Sequence, residues 1–331
     1  MDRTSISVAD RFLGGLLALA CGDALGAGVE FMSRDEIRRR FGKVTEMTGG
    51  GPFNVEPGEG TDDTGMALAV AEGLLEDDAD PREAVGRHLV AWFQGGPKDV
   101  GNTVRTALTN YLACGDWNAA VARTRSRLRD MAAGNGSLVR TLAVSYAFLH
   151  EPERMMRESA RLSEMTHPHE LPTLACTFYN EFVRLLALGT ERAAAFEQAL
   201  ERIERHGPLV SFNSRMVFLR QLRRVPELGY TDIRASGFVL DALVAGLWVF
   251  LRASDLEAAL VEAVGLGDDA DSVGALVGGM AGTYWGAGAV PGRWRSVLKE
   301  AARIEDVARR LARRVEAARQ AAGDPAAGLP D

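Results

Sequence analysis

The chain has 331 residues, 47% of them hydrophobic and 25% charged, a balance that gives it a real core and excludes a disordered or collagen-like polymer. A formal net charge of −7 argues against nucleic acid as the default partner. Aromatic residues make up only 7% while Ala, Leu, Arg and Glu abound, which favours helices and leaves little material for sheets.

At the N-terminus, MDRTSISVADR carries charge where a secretory signal needs an apolar run, so the chain reads as cytoplasmic. Phe12, Leu13, Leu16, Leu17 and Ala20 then follow the three-and-four spacing of a helix with one apolar face. Residues 42 to 60 hold Gly49, Gly50, Gly51, Pro52, Pro57, Gly58 and Gly60, a long irregular loop of the kind that is more often functional than idle. Asp80, Pro81 and Glu83 announce another helix, with cap, first-turn proline and an acid in turn. Val104, Leu108, Tyr111 and Leu112 repeat the helical spacing, as do Leu171, Leu174, Ala175, Phe178, Phe182 and Leu185. Ser254 with Glu257 predicts a capping box ahead of Leu256, Leu260, Val261 and Val264.

Two late segments, Gly237 to Leu251 and Ser272 to Gly286, are apolar nearly all round and are expected to be central and covered on every side. In the second, Gly274, Gly278, Gly282 and Gly286 recur every four residues, a bare stripe along which another helix can approach closely. Ser272 to Val290 carries no charge, but six glycines and the preceding Asp268, Asp269 and Asp271 mark it as a buried helix, not a membrane span. The tail beyond Gln320 reads as frayed. Cys21, Cys114 and Cys176 form no CxxC or Cys/His cluster and read as buried, reduced thiols. No alternating strand run appears, and no linker divides the chain. The expectation is one all-α, multi-helix domain over residues 1–331, monomeric and without membrane contact.

Chemistry concentrates in two acidic motifs. Thr61-Asp62-Asp63-Thr64 stands before a helix expected to start near Gly65, where a turn can aim adjacent carboxylates and a hydroxyl at one point. Taken alone it reads as an ordinary cap, because Thr and Asp suit helix N-termini. Gly267-Asp268-Asp269-Ala270-Asp271-Ser272 leads into the glycine-striped helix, and in an extended lead-in Asp269 and Asp271 point the same way. Burying such carboxylates without partners is costly, and a cation removes the cost. All-oxygen ligands favour Mg²⁺ or Mn²⁺ over zinc. Thr61, Asp62, Asp63, Asp269, Asp271 and Ser272 can hold two divalent cations, about 3.5–4 Å apart if they share a ligand.

With these motifs the chain resembles the ADP-ribosylglycohydrolase family. Gly14 through Glu30 resembles the family's opening, which ends in an acid near the metals, and the two acidic motifs resemble its metal motifs. Asp99-Val100-Gly101-Asn102-Thr103 resembles a motif of arginine-specific members, implying that Asp99 meets a guanidinium and Asn102 contacts ADP-ribose. Gly134-Asn135-Gly136-Ser137, followed by Arg140, is similar to the diphosphate-binding turn, and Ser163 to His167 to the segment that supplies a substrate-facing histidine. Ser272 stands where threonine is commoner, and keeps an oxygen. Phe238 stands where arginine-specific relatives often carry tyrosine, and residues 181 to 235 map onto nothing in the family pattern. The resemblance implies metal-dependent hydrolysis of an N-glycosidic bond between ADP-ribose and a protein side chain, arginine above all. The partners are then an ADP-ribosylated protein and the ADP-ribose product, with Asp99 and Glu30 catalytic. A same-fold hydrolase of serine-linked or free ADP-ribose derivatives, a non-catalytic ADP-ribose reader and a two-metal phosphoesterase remain open. The alternating Arg123, Arg125, Arg127 and Arg129 read as a solvated face.

Overall fold

Two helices from opposite ends of the chain, Val8–Gly26 and Ala270–Trp285, form the axis of the protein in the computed structural model, which describes residues 6–321. They run antiparallel, with Gly14 against Gly282, Ala18 against Gly278 and Gly22 against Gly274. A methyl group at Gly278 would overlap the Ala18 carbonyl oxygen, and one at Gly282 the carbonyl oxygen of Gly14. The four-residue repeat is thus half of a matched pair of stripes that let two backbones touch. Every residue of the later helix from Ala270 to Tyr284 is buried. Gly286 falls just past its end, at φ 80°, where it terminates the helix.

Around this axis the elements are helical, and among the described residues extended pairing is confined to isolated bridges such as Gly134 with Phe238 and Ser33 with Gly267. The helix expected over Gly237 to Leu251 begins at Val239, because Gly237 and Val239 are engaged with Ala133–Asn135: Asn135 N donates to Gly237 O at 3.1 Å and Val239 N to Ala133 O at 3.0 Å. It is not covered all round, since Asp241, Val244 and Leu251 are half-exposed. The predicted cap of the next helix moves by one residue: Asp255, not Ser254, accepts from Ala258 N at 2.8 Å. Asp80 precedes Pro81 as expected, but its carboxylate makes no capping bond and instead pairs with Arg161 at 2.9 Å.

Residues 181 to 235 find a structural use. Phe178 and Phe182 of Glu170–Ala187 meet Phe196 of Arg192–His206 at 6.0 and 6.4 Å, while Phe218 of Phe212–Arg223 and Phe250 complete the aromatic cluster. Cys21 and Cys176 are buried, and burial pushes the Cys21 thiol up to about 12, so it is inert; Cys114, read as buried, is only half-buried. Among the described residues no helix is long and apolar enough to cross a membrane. The last helix, Ala301–Ala321, includes the first residue of the tail read as frayed; the rest of that tail lies outside the described residues.

Candidate metal-binding active site

A residue that the sequence did not single out organises the first acidic motif. Asp23 lies in the axial helix Val8–Gly26, fully buried, and its carboxylate accepts from Thr61 N at 3.0 Å, from Thr64 N at 3.0 Å and from the Thr64 hydroxyl. It satisfies donors that the start of a helix leaves free. That helix is Asp62–Glu76, so Asp62 and Asp63 lie in its first turn rather than ahead of it, and Thr61 is the N-cap, accepting from Asp63 N at 3.4 Å. Burial pushes Asp23 up to about 6 while its three donors pull the other way. Asp23→Ala should leave those three donors buried and unpaired, costing about 3–9 kcal/mol at roughly 1–3 kcal/mol for each lost partner; chemical denaturation checks this.

The second motif arrives on the other axial helix. Asp269 is the N-cap of Ala270–Trp285 without making a capping bond, and Asp271 lies in the first turn, so this motif too is the beginning of a helix and not an extended lead-in. The axial crossing therefore sets both motifs side by side. Ser272 sits beside the Asp63 and Asp269 carboxylates, and Asn135 Nδ2 donates to Asp269 Oδ2 at 2.7 Å. Glu30, just beyond the end of the first axial helix, joins Asp269 and Asp271 in a group whose ligand oxygens all lie within 4.8 Å of one another. Asp62 Oδ2 accepts from Gly101 N at 2.9 Å, which draws the Asp99–Asn102 turn against the first motif, with Asp99 beside Asp62.

These side chains line a cavity of about 280 Å³. Its walls carry seven carboxylates, from Glu30, Asp62, Asp63, Asp99, Asp268, Asp269 and Asp271, and among the described residues no lysine or arginine. For Glu30, Asp63, Asp99 and Asp271, burial is the first cause of altered acidity and repulsion from a neighbouring carboxylate the second. Glu30 is pushed up to about 9 by burial, Asp99 and Asp269; Asp99 is pushed up to about 7 by burial and Asp62. Asp63 and Asp271 are raised well above the carboxylate range. Glu30 Oε2, Asp63 Oδ2 and Asp271 Oδ1 are buried with no hydrogen-bond partner. Buried acceptors aimed at a common space, with no donor to meet them, fit a hard cation.

Asn102, Gly134, Asn135, Gly136 and His167 line the same cavity, with Asn102 exposed at the start of Asn102–Cys114. His167 is buried; its Nδ1 lies 2.8 Å from the Thr166 hydroxyl, and its ring backs the turn at Gly134 and Gly136. Burial and the nearby Arg140 hold it neutral. Arg140, itself buried and pushed down to about 10, donates to Gly136 O and Leu162 O beneath the turn. Three predicted residues stand apart from the lining. The Ser137 hydroxyl is fully buried against Ser163 at 2.9 Å, Thr61 lines a neighbouring cavity, and Phe238 stands exposed beside the turn. The loop 42–60 contributes no lining residue. His169 accepts from Leu171 N as a helix cap, and Arg123, Arg125, Arg127 and Arg129 are exposed. An acid inside an apolar helical run was the available signal for Asp23.

Comparison with known proteins agrees with this fold. The ADP-ribosylglycohydrolase family model matches residues 4–321. ADP-ribosylarginine hydrolase Tri1 of Serratia proteamaculans (strain 568) is 32% identical over 309 residues, covering 91% of this chain and 79% of that protein. ADP-ribosyl-[dinitrogen reductase] glycohydrolase of Rhodospirillum rubrum is 32% identical over 295 residues, covering 89% and 92%. A solved ADP-ribosylglycohydrolase-related protein complex superposes with a TM-score of 0.77 at 33% identity, over 93% of this chain and 99% of that one.

Proposed function

Because the chain belongs to the ADP-ribosylglycohydrolase family of hydrolases, we propose that it cleaves the N-glycosidic bond between ADP-ribose and arginine side chains of modified proteins, releasing ADP-ribose. The observation that carries this reading is the convergence of three partnerless carboxylate oxygens, on Glu30, Asp63 and Asp271, beside Asp99. Asp62, Asp63, Asp269, Asp271 and Ser272, joined by Glu30 and, from the neighbouring cavity, by Thr61, would hold two divalent cations, Mg²⁺ or Mn²⁺. Bound there, the cations would supply the positive charge that lets vicinal ribose hydroxyls and a water enter so acidic a cavity.

The protein's own groups do the rest. The turn at Gly134–Gly136, backed by neutral His167 and buried Arg140, receives the diphosphate, with Asn102 contacting the ADP-ribose. Asp99 faces the leaving guanidinium, which a carboxylate can hold through paired, charge-assisted hydrogen bonds. Glu30, whose carboxyl burial and acidic neighbours raise in the cation-free protein, would be ionised by the bound cations and then accept a proton from water at the anomeric carbon. Holding these groups in register lowers the barrier by positioning and by stabilising positive charge as the bond breaks.

Matched arginine-linked and serine-linked ADP-ribosyl peptides, with and without chelator, test the reading. Cleavage should favour the arginine linkage and stop with chelator. Asp99→Asn should slow the arginine reaction by at least ~10-fold, the equivalent of ~1.4 kcal/mol in the transition state, with cation binding unchanged. Preference for the serine linkage, or full arginine activity in Asp99→Asn, removes Asp99 from this role.

A further inference from the structure

Phe31 combines three properties that packing does not reconcile. It holds φ at 64°, in the left-handed region that bulky side chains avoid. It is 65% exposed, so its ring repays the strain with little burial. And it lines the acidic cavity directly after Glu30. The conformation is imposed by short links on either side: Phe31 N donates to Asp268 O at 2.7 Å, and Asp268 N to Met32 O at 2.8 Å. Strain kept at a cavity rim, where nothing in the fold collects the benefit, points to a ligand.

The neighbours of the ring tell which part of a ligand it meets. Phe31 touches Phe53 edge-on, with ring centroids 6.5 Å apart and planes at 67°. Phe53 belongs to the glycine-rich loop, and that loop is tied to the Asp99 turn: Lys98 Nζ donates to Asn54 O at 3.3 Å and pairs with Glu59 at 2.7 Å. The aromatic pair thus stands on the cavity rim, tied through the loop to the residue before Asp99, and Asp99 is the foremost acidic neighbour of Glu30, the residue preceding Phe31. We propose that Phe31 is a specificity-determining residue that packs on the arginine side chain carrying the ADP-ribose, an inference that rests on the arginine-hydrolase reading above. An aromatic face suits that group, attracting the guanidinium and covering its methylene stem. The long loop then serves the site indirectly, by propping Phe31 through Phe53.

The test uses Phe31→Gly, which removes the ring while relieving the left-handed strain, together with Phe31→Tyr, which keeps a ring. For Phe31→Gly, kcat/KM on an arginine-linked ADP-ribosyl peptide should fall about tenfold or more, while affinity for ADP-ribose alone stays within about threefold. Its thermal midpoint should not drop, and Phe31→Tyr should retain most of the peptide activity; a merely structural role would lower the midpoint instead. Wild-type efficiency in Phe31→Gly overturns the proposal, as does an equal loss of ADP-ribose affinity, which would seat the ring on the nucleotide. Failure of the wild type to cleave either linkage overturns the hydrolase reading alone. Calorimetric binding of the same peptide, compared with ADP-ribose, then decides the role of Phe31 by the same tenfold criterion.

Discussion

Asp271→Asn should reduce hydrolysis by about three orders of magnitude or more, equivalent to ~4 kcal/mol of transition-state stabilisation, and should do so without unfolding the protein. The same variant carries a second and opposite signature. Asp271 is raised well above the carboxylate range by burial, Asp269 and Glu30, so at neutral pH, where the unfolded chain ionises it freely, the cation-free fold loses stability by either protonating it or holding its buried charge. A neutral amide of the same shape removes that cost. In chelator, Asp271→Asn should therefore melt higher than the wild type. Added Mg²⁺ or Mn²⁺ should reverse the order: a cation at ~100 times its dissociation constant stabilises the wild type by about 2.7 kcal/mol, and the variant far less. Glu30 gives the matching pH dependence. Its carboxyl moves from an ordinary 4.5 to about 9 in the fold, so the proton it keeps stabilises the cation-free protein at low pH, and that contribution is lost as pH rises between those values. Differential scanning calorimetry in chelator, with and without cation, reads both effects. Equal melting of variant and wild type in both conditions would dissolve the case for a cation cradle.

Gly278→Ala should be among the most damaging single-methyl changes available to this chain. The new carbon would overlap the Ala18 carbonyl, part of a helix backbone that cannot rotate away as a side chain can. Relief requires the axial helices to separate along their length, undoing packing worth well over ~4 kcal/mol, the exceptional end of single-substitution effects. Insoluble expression or a collapsed thermal transition is expected. Gly265→Ala is the control: it ends the helix Leu256–Gly265 with no neighbouring atom within 4 Å, and its stability should change little.

These two regions also mark how far the sequence could be read. Helical spacing and the glycine repeat were enough to place Ala270–Trp285 at the centre, because a stripe without side chains has few uses other than close approach. They did not identify its partner stripe, Gly14, Ala18, Gly22, since contact between segments some 260 residues apart leaves no local trace. The acidic motifs were legible as clusters because carboxylates that crowd together need a common cause. Their helical register was not: Asp62 and Asp63, expected in a turn, and Asp271, expected in an extended lead-in, all lie inside first turns, where dipole and buried donors decide. Asp23 stayed hidden because a single acid in an apolar run gives no sign of which donors it will meet. Phe31 is invisible for a different reason: nothing in a residue's name reveals that its backbone is held left-handed.

The axial pairing has a consequence for how the protein comes into being. Gly14 leaves the ribosome 268 residues before its partner Gly282, and at roughly 5–20 residues per second that is a wait of about 13–54 s. Throughout it the first helix has no Ala270–Trp285 to cover its glycine-lined face, and Thr61–Asp63 has no second motif to meet. Any nascent chain stalled before about residue 285 carries half of the acidic cluster and an unclad helix, a species for chaperones and proteases to sort. Catalytic competence thus arrives late in synthesis, as the last third of the polypeptide closes on the first.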